Sequence, residues 1–182
     1  MKAKEYWSKA SPVALLTIVV AVSVSILTYV DSITRGQIDT QEQQKTERLL
    51  HGIFPDMSRY EFQDDIYIIY SDSERIGYAF KAVGNGYGGD INILVGLEND
   101  TTIKGITFIS QTETPGLGTR ITESPFIDQF AGININDVML SKDGGRVDAI
   151  TGSTISSSAV VEAVRTTALE KVKQIKELEG GG

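Results

Sequence analysis

The sequence predicts an α+β protein: a single apolar N-terminal helix, a mixed, mainly antiparallel sheet, and a closing C-terminal helix. Three observations carry that expectation. Residues 10–30 hold no charged side chain and are dominated by Val, Ile, Leu and Ala. Between 66 and 108, runs rich in β-branched and aromatic residues are divided by short turns, and Ile91, Ile93, Val95 and Leu97 recur at every second place, the period of a strand. From 161 to 175 the apolar residues recur at steps of three and four, which gathers them on one side of a helix.

The run Ala10–Val30 matches the ~20 apolar residues needed to cross a bilayer. It exceeds the apolar region of a secretory signal, about 7–15 residues, and the small-x-small match Ser23-Val24-Ser25 lies inside the run. The expectation is an uncleaved transmembrane helix. Lys2, Lys4 and Lys9 precede it, Asp31 follows it, and Arg35 is the first basic residue beyond. The positive-inside rule then puts residues 1–9 in the cytoplasm and the rest outside, in a single-pass arrangement at the cell membrane. Lys45 and Arg48 on the far side make that bias modest. Tyr6, Trp7 and Tyr29 suit the two interfacial belts.

Residues 31–55 form a polar helical connector, continuous with the first helix or starting anew near Asp39, and stopped by Gly52 and Pro55. Residues 56–179 are the extracytoplasmic domain. Its first strands are Ile66–Tyr70 and Ile76–Val83 around the turn Ser71–Glu74. Ile91, Ile93, Val95 and Leu97 mark a third strand, and Ile103, Ile106 and Phe108 a fourth beyond the Glu98-Asn99-Asp100 turn. Ser124-Pro125 reads as N-cap and first residue of a short helix through Phe130. Val138–Leu140 and Val147–Ile150 read as short strands about Asp143-Gly144-Gly145. The last helix starts near Ser156, with Val161, Val164, Ala168, Val172 and Ile175 as its apolar stripe. Residues 180–182, all glycine, are a tail.

Composition removes several function classes. A net charge of −7 disfavours nucleic acid as a partner. With no cysteine there is no disulfide, thiolate metal site or Cys-ligated iron–sulfur cluster. His51 alone does not build a His-rich metal or haem centre. Redox chemistry in such a chain requires a bound organic cofactor or a non-Cys metal site.

Three stretches stand out. Gly84–Gly89 satisfies G-x-G-x-x-G, but a strand pattern follows it where a dinucleotide site needs a helix, so it reads as a glycine-rich hairpin loop. Thr112-Glu113-Thr114-Pro115-Gly116-Leu117-Gly118 combines a stiff turn, two glycines that permit close backbone approach, and an apolar side chain. Val147–Ser156 runs an apolar segment into a Gly turn and sets Thr154 at a helix mouth, where free N–H groups favour an anion. An ordinary polar helix cap is the competing reading of that last stretch.

Thr151-Gly152-Ser153-Thr154, with Glu113–Gly118 upstream and the apolar N-terminal run, resembles the FMN-binding subunits of Rnf and sodium-pumping NADH:quinone reductase complexes. The glycine-rich 86–91 segment resembles the same family, and the chain length is closer to the Rnf G subunits than to the longer C subunits. The resemblance implies FMN joined by a phosphoester to Thr154, with Thr151, Gly152 and Ser153 around it. It implies that Glu113, Thr114, Leu117 and Gly118 meet the flavin ring, and that a separate Mg²⁺-dependent flavin transferase installs FMN from FAD. It further implies an electron carrier without catalytic residues of its own, partnered by other subunits of a membrane complex that couples ferredoxin-linked electron transfer to Na⁺ or H⁺ movement. Asp148 stands near this region, as a helper in attachment or as a turn cap. Two departures are visible: Ser153 replaces the more usual Ala, and Phe130-Ala131-Gly132 lacks the basic residue often found before that Gly. Two other readings stay open on the residues: a stand-alone membrane-tethered flavoprotein reductase, and a non-redox binding domain whose Thr154 is only a cap.

Overall fold

Helix α1 (Lys2–Ile53) is followed by five strands, β1 (Arg59–Gln63), β2 (Ile66–Ser71), β3 (Glu74–Asn85), β4 (Asp90–Leu97) and β5 (Ile103–Ser110). A run of short 3-10 turns around the one-turn helix α2 (Ser124–Ile127) then leads to helix α3 (Thr154–Gly180). The computed structural model describes residues 2–180, and within its helices the side chains of 2–13, 30–42 and 178–180 fall outside the description. The flanking lysines, Tyr6, Trp7, Asp31 and Arg35 therefore lie outside the described side chains, as do residues 181 and 182 of the expected tail.

The chain divides into two compact units, the first ending at Thr46 and the second running from Glu47 to the C-terminus. In the first, α1 continues unbroken through Asp39, so the connector does not begin a new helix. Its side chains over 14–29 are exposed, Leu15, Leu16, Ile18, Ile26 and Leu27 among them. Among the described residues no helix is long and apolar enough to cross a membrane; the ends of the expected span, 10–13 and Val30, lie outside the described side chains.

In the second unit the five strands form one sheet in the order β1-β2-β3-β4-β5, each antiparallel to its neighbour. The mixed sheet expected from the sequence is thus antiparallel throughout. Alternation sorts the side chains to two faces. Ile66, Tyr78, Phe80, Ala82, Ile91, Ile93, Val95 and Leu97 point to the larger core under α3. Tyr67, Ile69, Ala79 and Leu94 point the other way, where Leu50, Ile53, Phe54 and Met57 cover them. The sheet is covered on both faces, which is why β4 is almost wholly buried.

β1 was not foreseen. Its residues are mostly exposed and polar, and it exists because Arg59–Gln63 pair with Tyr70–Ile66 along the sheet edge. The expected strands Val138–Leu140 and Val147–Ile150 are not strands. Ile135–Asp137 and Ser141–Asp143 are 3-10 turns, and a single parallel bridge, Leu140 to Val147, joins the two segments. Their apolar residues fill the core beneath α3 instead of extending the sheet. Ser124 is the first residue of α2 and Glu123 its cap, one place earlier than the sequence implied; a 3-10 turn completes the segment to Phe130. Phe126 and Phe130 meet edge to face at 5.5 Å. Of the expected α3 stripe, Val161, Val164, Ala168 and Ile175 are buried and Val172 is half-buried, while on the other faces Glu162, Lys173 and Glu177 are exposed and Arg165 is half-buried.

Candidate functional site

A solvent-open cleft of ≈ 580 Å³ lies where the 112–118 loop faces the start of α3. That volume falls within the roughly 300–1,000 Å³ of small-molecule and cofactor pockets. One wall is Glu113, Thr114, Leu117 and Gly118; the other is Gly152, Ser153, Thr154, Ile155 and Ser156, and Tyr87 reaches in from the glycine hairpin. Seven of the eight residues expected from the sequence are thereby brought together. The eighth, Thr151, is exposed and outside the lining.

The second wall is built from a turn. Ser153 N–H donates to the Ile150 carbonyl at 2.9 Å, and Gly152 sits between them at φ +82°, a conformation that a side chain would strain. Ser157 locks the turn to the helix: its Oγ donates to the Ser153 carbonyl at 3.0 Å and accepts the Ile150 N–H at 3.1 Å. The first helical N–H bond is Ser157 to Ser153, at 2.9 Å. The amides of Thr154, Ile155 and Ser156 precede it, so they have no acceptor within the helix and lend the mouth of α3 its positive character. α3 begins at Thr154, two residues earlier than expected, so the Thr154 side chain belongs to the first helical residue and is exposed.

The first wall is held by the hairpin. Gly86 N–H donates to the Gly89 carbonyl at 2.9 Å across the tip of β3 and β4, confirming a hairpin loop at Gly84–Gly89. Thr112 Oγ1 donates to the Gly88 carbonyl at 3.2 Å, and Gly88 N–H donates to Glu113 Oε1 at 3.1 Å. The amides of Leu117 and Thr119 both reach the Thr114 carbonyl at 3.2 Å, closing the loop on itself. Glu113, which alone would read as an exposed carboxylate, is only 4% exposed. Its Oε2 accepts the Ser156 hydroxyl at 2.8 Å.

Chemically the cleft joins apolar and polar parts. Tyr87, Leu117 and Ile155 are large apolar side chains left more than half exposed along it. Such surface is free to take the face of a flat ring. Ser153 is 5% exposed, and its Oγ is buried without a hydrogen-bond partner. A buried hydroxyl without a partner costs about 1–3 kcal/mol, so this wall has a donor in want of an acceptor. Free amides, an unpartnered hydroxyl and an apolar rim fit a ligand with an anionic end and an aromatic end, as FMN has.

Sequence reasoning missed Tyr87, Ile155 and Ser156. Tyr87 carried a weak signal, an aromatic set among four glycines of the hairpin; Ser156 carried none, because its role depends on Glu113 across the cleft. Asp148 is not part of the cleft. Its Oδ1 accepts the Ser141 hydroxyl at 2.6 Å and its N–H donates to Gln129 Oε1 at 2.6 Å, so it closes the 141–148 turn.

The FMN-binding domain family matches residues 86–169, which contain both walls of the cleft. The C subunit of the Na⁺-translocating NADH-quinone reductase of Parabacteroides distasonis is similar in structure, with a TM-score of 0.50 and 29% identity over 59% of this chain and 60% of that one. The part of the fold that holds the cleft is thus an FMN-binding domain. Over the longer chain, the G subunit of the ion-translocating oxidoreductase complex of Methanosarcina acetivorans is 31% identical across 168 residues, 85% of this chain and 89% of that one. Its counterpart from Aliivibrio fischeri is also 31% identical, over 86% of each chain. The G subunit of the proton-translocating ferredoxin:NAD(+) oxidoreductase complex of Clostridium ljungdahlii is 30% identical, over 84% of this chain and 82% of that one. The chain belongs to the family of G subunits of ion-translocating oxidoreductase complexes, the redox subunits of a translocase.

Proposed function

We propose that this chain carries FMN covalently, through a phosphoester to Thr154, and relays electrons inside a membrane complex that couples ferredoxin-linked redox chemistry to Na⁺ or H⁺ movement. The observation that carries the reading is the start of α3: Thr154 is exposed and lines a cleft whose wall holds the buried, unpartnered Ser153 Oγ. Bound FMN supplies the electron chemistry, accepting and passing on one or two electrons. The chain's residues supply the hold. The first amides of α3 and Ser153 would meet the phosphate, and Leu117, Ile155 and Tyr87 would cover the ring.

Attachment balances as a phosphoryl transfer from FAD, promoted by a separate flavin transferase. The Thr154 Oγ–P bond forms, the pyrophosphate P–O bond breaks, AMP leaves and the hydroxyl proton is released. A covalent link suits a domain outside the cell, where a dissociated cofactor would be diluted away. The apolar segment 10–30 and the lysines before it support a single-pass anchor with residues 1–9 in the cytoplasm. The exposed apolar side chains of 14–29 suit a lipid environment.

Two measurements test the reading. Protein made with a flavin transferase should gain the mass of FMN less one water and fluoresce on a denaturing gel; an unchanged mass in fully loaded, functional complex would overturn the covalent link. A reporter fused after Glu179 should be active only outside the cytoplasm, and cytoplasmic activity would reverse the topology.

A further inference from the structure

Among the described residues Glu113 is the one acidic or basic side chain that is buried, and nothing in the electron relay uses it. Its two oxygens are both committed to protein donors: Oε1 to the Gly88 amide, 25 residues back, and Oε2 to the Ser156 hydroxyl, 43 residues ahead. The backbone beside it is fixed as well, because Glu113 N–H donates to Gln111 Oε1 at 2.6 Å. Two glycines make room for the carboxylate. A Cβ on Gly86 would overlap Oε1, and a Cβ on Gly118 would stand 2.5 Å from Oε2.

We infer that Glu113 is a positioning residue: a hydrogen-bonded latch that ties the glycine hairpin and the 112–118 loop to the first turn of α3, and so fixes where the Thr154 hydroxyl stands in the cleft. The inference rests on the reading of Thr154 as the attachment point. Ser156 is two residues beyond Thr154 in the same helical turn, so a shift of one moves the other. The carboxylate also lies beside the N-terminus of α3, where negative charge is favoured. With both oxygens occupied by the walls, Glu113 acts on the flavin through Thr154 and not by touching the ring.

The chemistry of the latch separates its hydrogen bonds from its charge. A glutamine at 113 keeps both contacts: its carbonyl accepts the Gly88 N–H, and its amide donates to Ser156 Oγ, since a hydroxyl either gives or takes a proton. An alanine loses both, and leaves the buried Ser156 hydroxyl and the Gly88 amide without their acceptor. The test uses the full chain as substrate for the flavin transferase with FAD, and follows the rate of flavin incorporation. Misplacement of a reacting group by about 1 Å can cost roughly 100-fold. On that scale Glu113→Ala should lower kcat at least about tenfold with KM for the chain within about twofold, and Glu113→Gln should restore kcat to within about threefold. Ser156→Ala, which opens one arm, should fall between them. In protein made without the transferase, the amides of Gly88 and of the first turn of α3 should exchange faster in Glu113→Ala and not in Glu113→Gln. Wild-type incorporation by Glu113→Ala, failure of Glu113→Gln to restore it, or a loss lying wholly in KM would overturn the latch. Incorporation by Thr154→Ala would instead overturn the attachment point, whatever the exchange data show.

Discussion

The two walls of the cleft face one another and use their polar groups in opposite ways. On the 112–118 wall the one charged side chain, Glu113, is 4% exposed and gives both oxygens to neighbouring donors. On the 152–156 wall Thr154 is exposed, Ser153 Oγ has no partner, and the first amides of α3 have no acceptor inside the helix. The first wall is satisfied and the second is not. Satisfied polar groups hold shape, whereas unsatisfied ones are available to a ligand, because binding supplies what folding left unmade. Substitutions on the second wall should therefore alter attachment and phosphate contact, and those on the first should act through packing or through the ring.

The largest expected effect is at Thr154. Thr154→Ala should abolish flavin that survives denaturation while leaving the fold within about 0.5 kcal/mol, as for an exposed side chain. In-gel fluorescence and a thermal melt measure the two quantities. Thr151→Ala, outside the cleft, is the control that should keep its flavin; if it loses covalent flavin and Thr154→Ala does not, the second wall has been assigned to the wrong hydroxyl.

Next comes Gly118→Val. A Cβ there would lie 2.5 Å from Glu113 Oε2 and 2.8 Å from Glu113 Cβ. Overpacking of this sort costs about 1–3 kcal/mol, so the melting temperature should drop even in protein without flavin. A stable Gly118→Val that loses only flavin would show that the glycine serves the ring and not the carboxylate behind it.

Ser153→Ala should produce effects of opposite sign. Removing a buried hydroxyl without a partner should stabilise the flavin-free protein by about 1 kcal/mol. For a domain of this size that corresponds to about 2–4 °C in Tm. Once FMN is attached the gain should vanish, because the wild-type hydroxyl then has an acceptor. Equal gains with and without flavin would place the phosphate elsewhere.

The smallest effect should be at Leu117, which is 51% exposed. Leu117→Ala should change stability by no more than about 0.5 kcal/mol, yet shift the flavin absorbance or midpoint potential by uncovering one side of the ring. An unchanged spectrum and potential would remove Leu117 from the ring contact.

Much of this molecule was legible because local rules and tertiary needs agree. The alternation at Ile91, Ile93, Val95 and Leu97 predicted a strand with one face in the core, and those four residues line the core under α3. The three-and-four spacing of Val161, Val164, Ala168 and Ile175 likewise named the buried side of α3. Turn chemistry named the hairpin at 84–89 and the Gly turn before Thr154. The sequence reading failed where apolar content and pairing part company. Val138–Leu140 and Val147–Ile150 are apolar because they pack under a helix, and no strand lies beside them to make them a ladder. β1 is the reverse case, a polar segment made into a strand by its neighbour.

The amino-acid order by itself determined the elements that repeat with a period, the glycine and proline turns, and the hydroxyl cluster ahead of α3, because each is set by residues within one or two turns of chain. Only the tertiary structure decided the state of each polar group. Glu113 is buried because Gly88 and Ser156, distant in sequence, converge on it, and Ser153 Oγ is buried where no acceptor or donor meets it. Hydrogen-bond satisfaction depends on which donors and acceptors meet across the fold, and spacing along the chain does not encode that meeting.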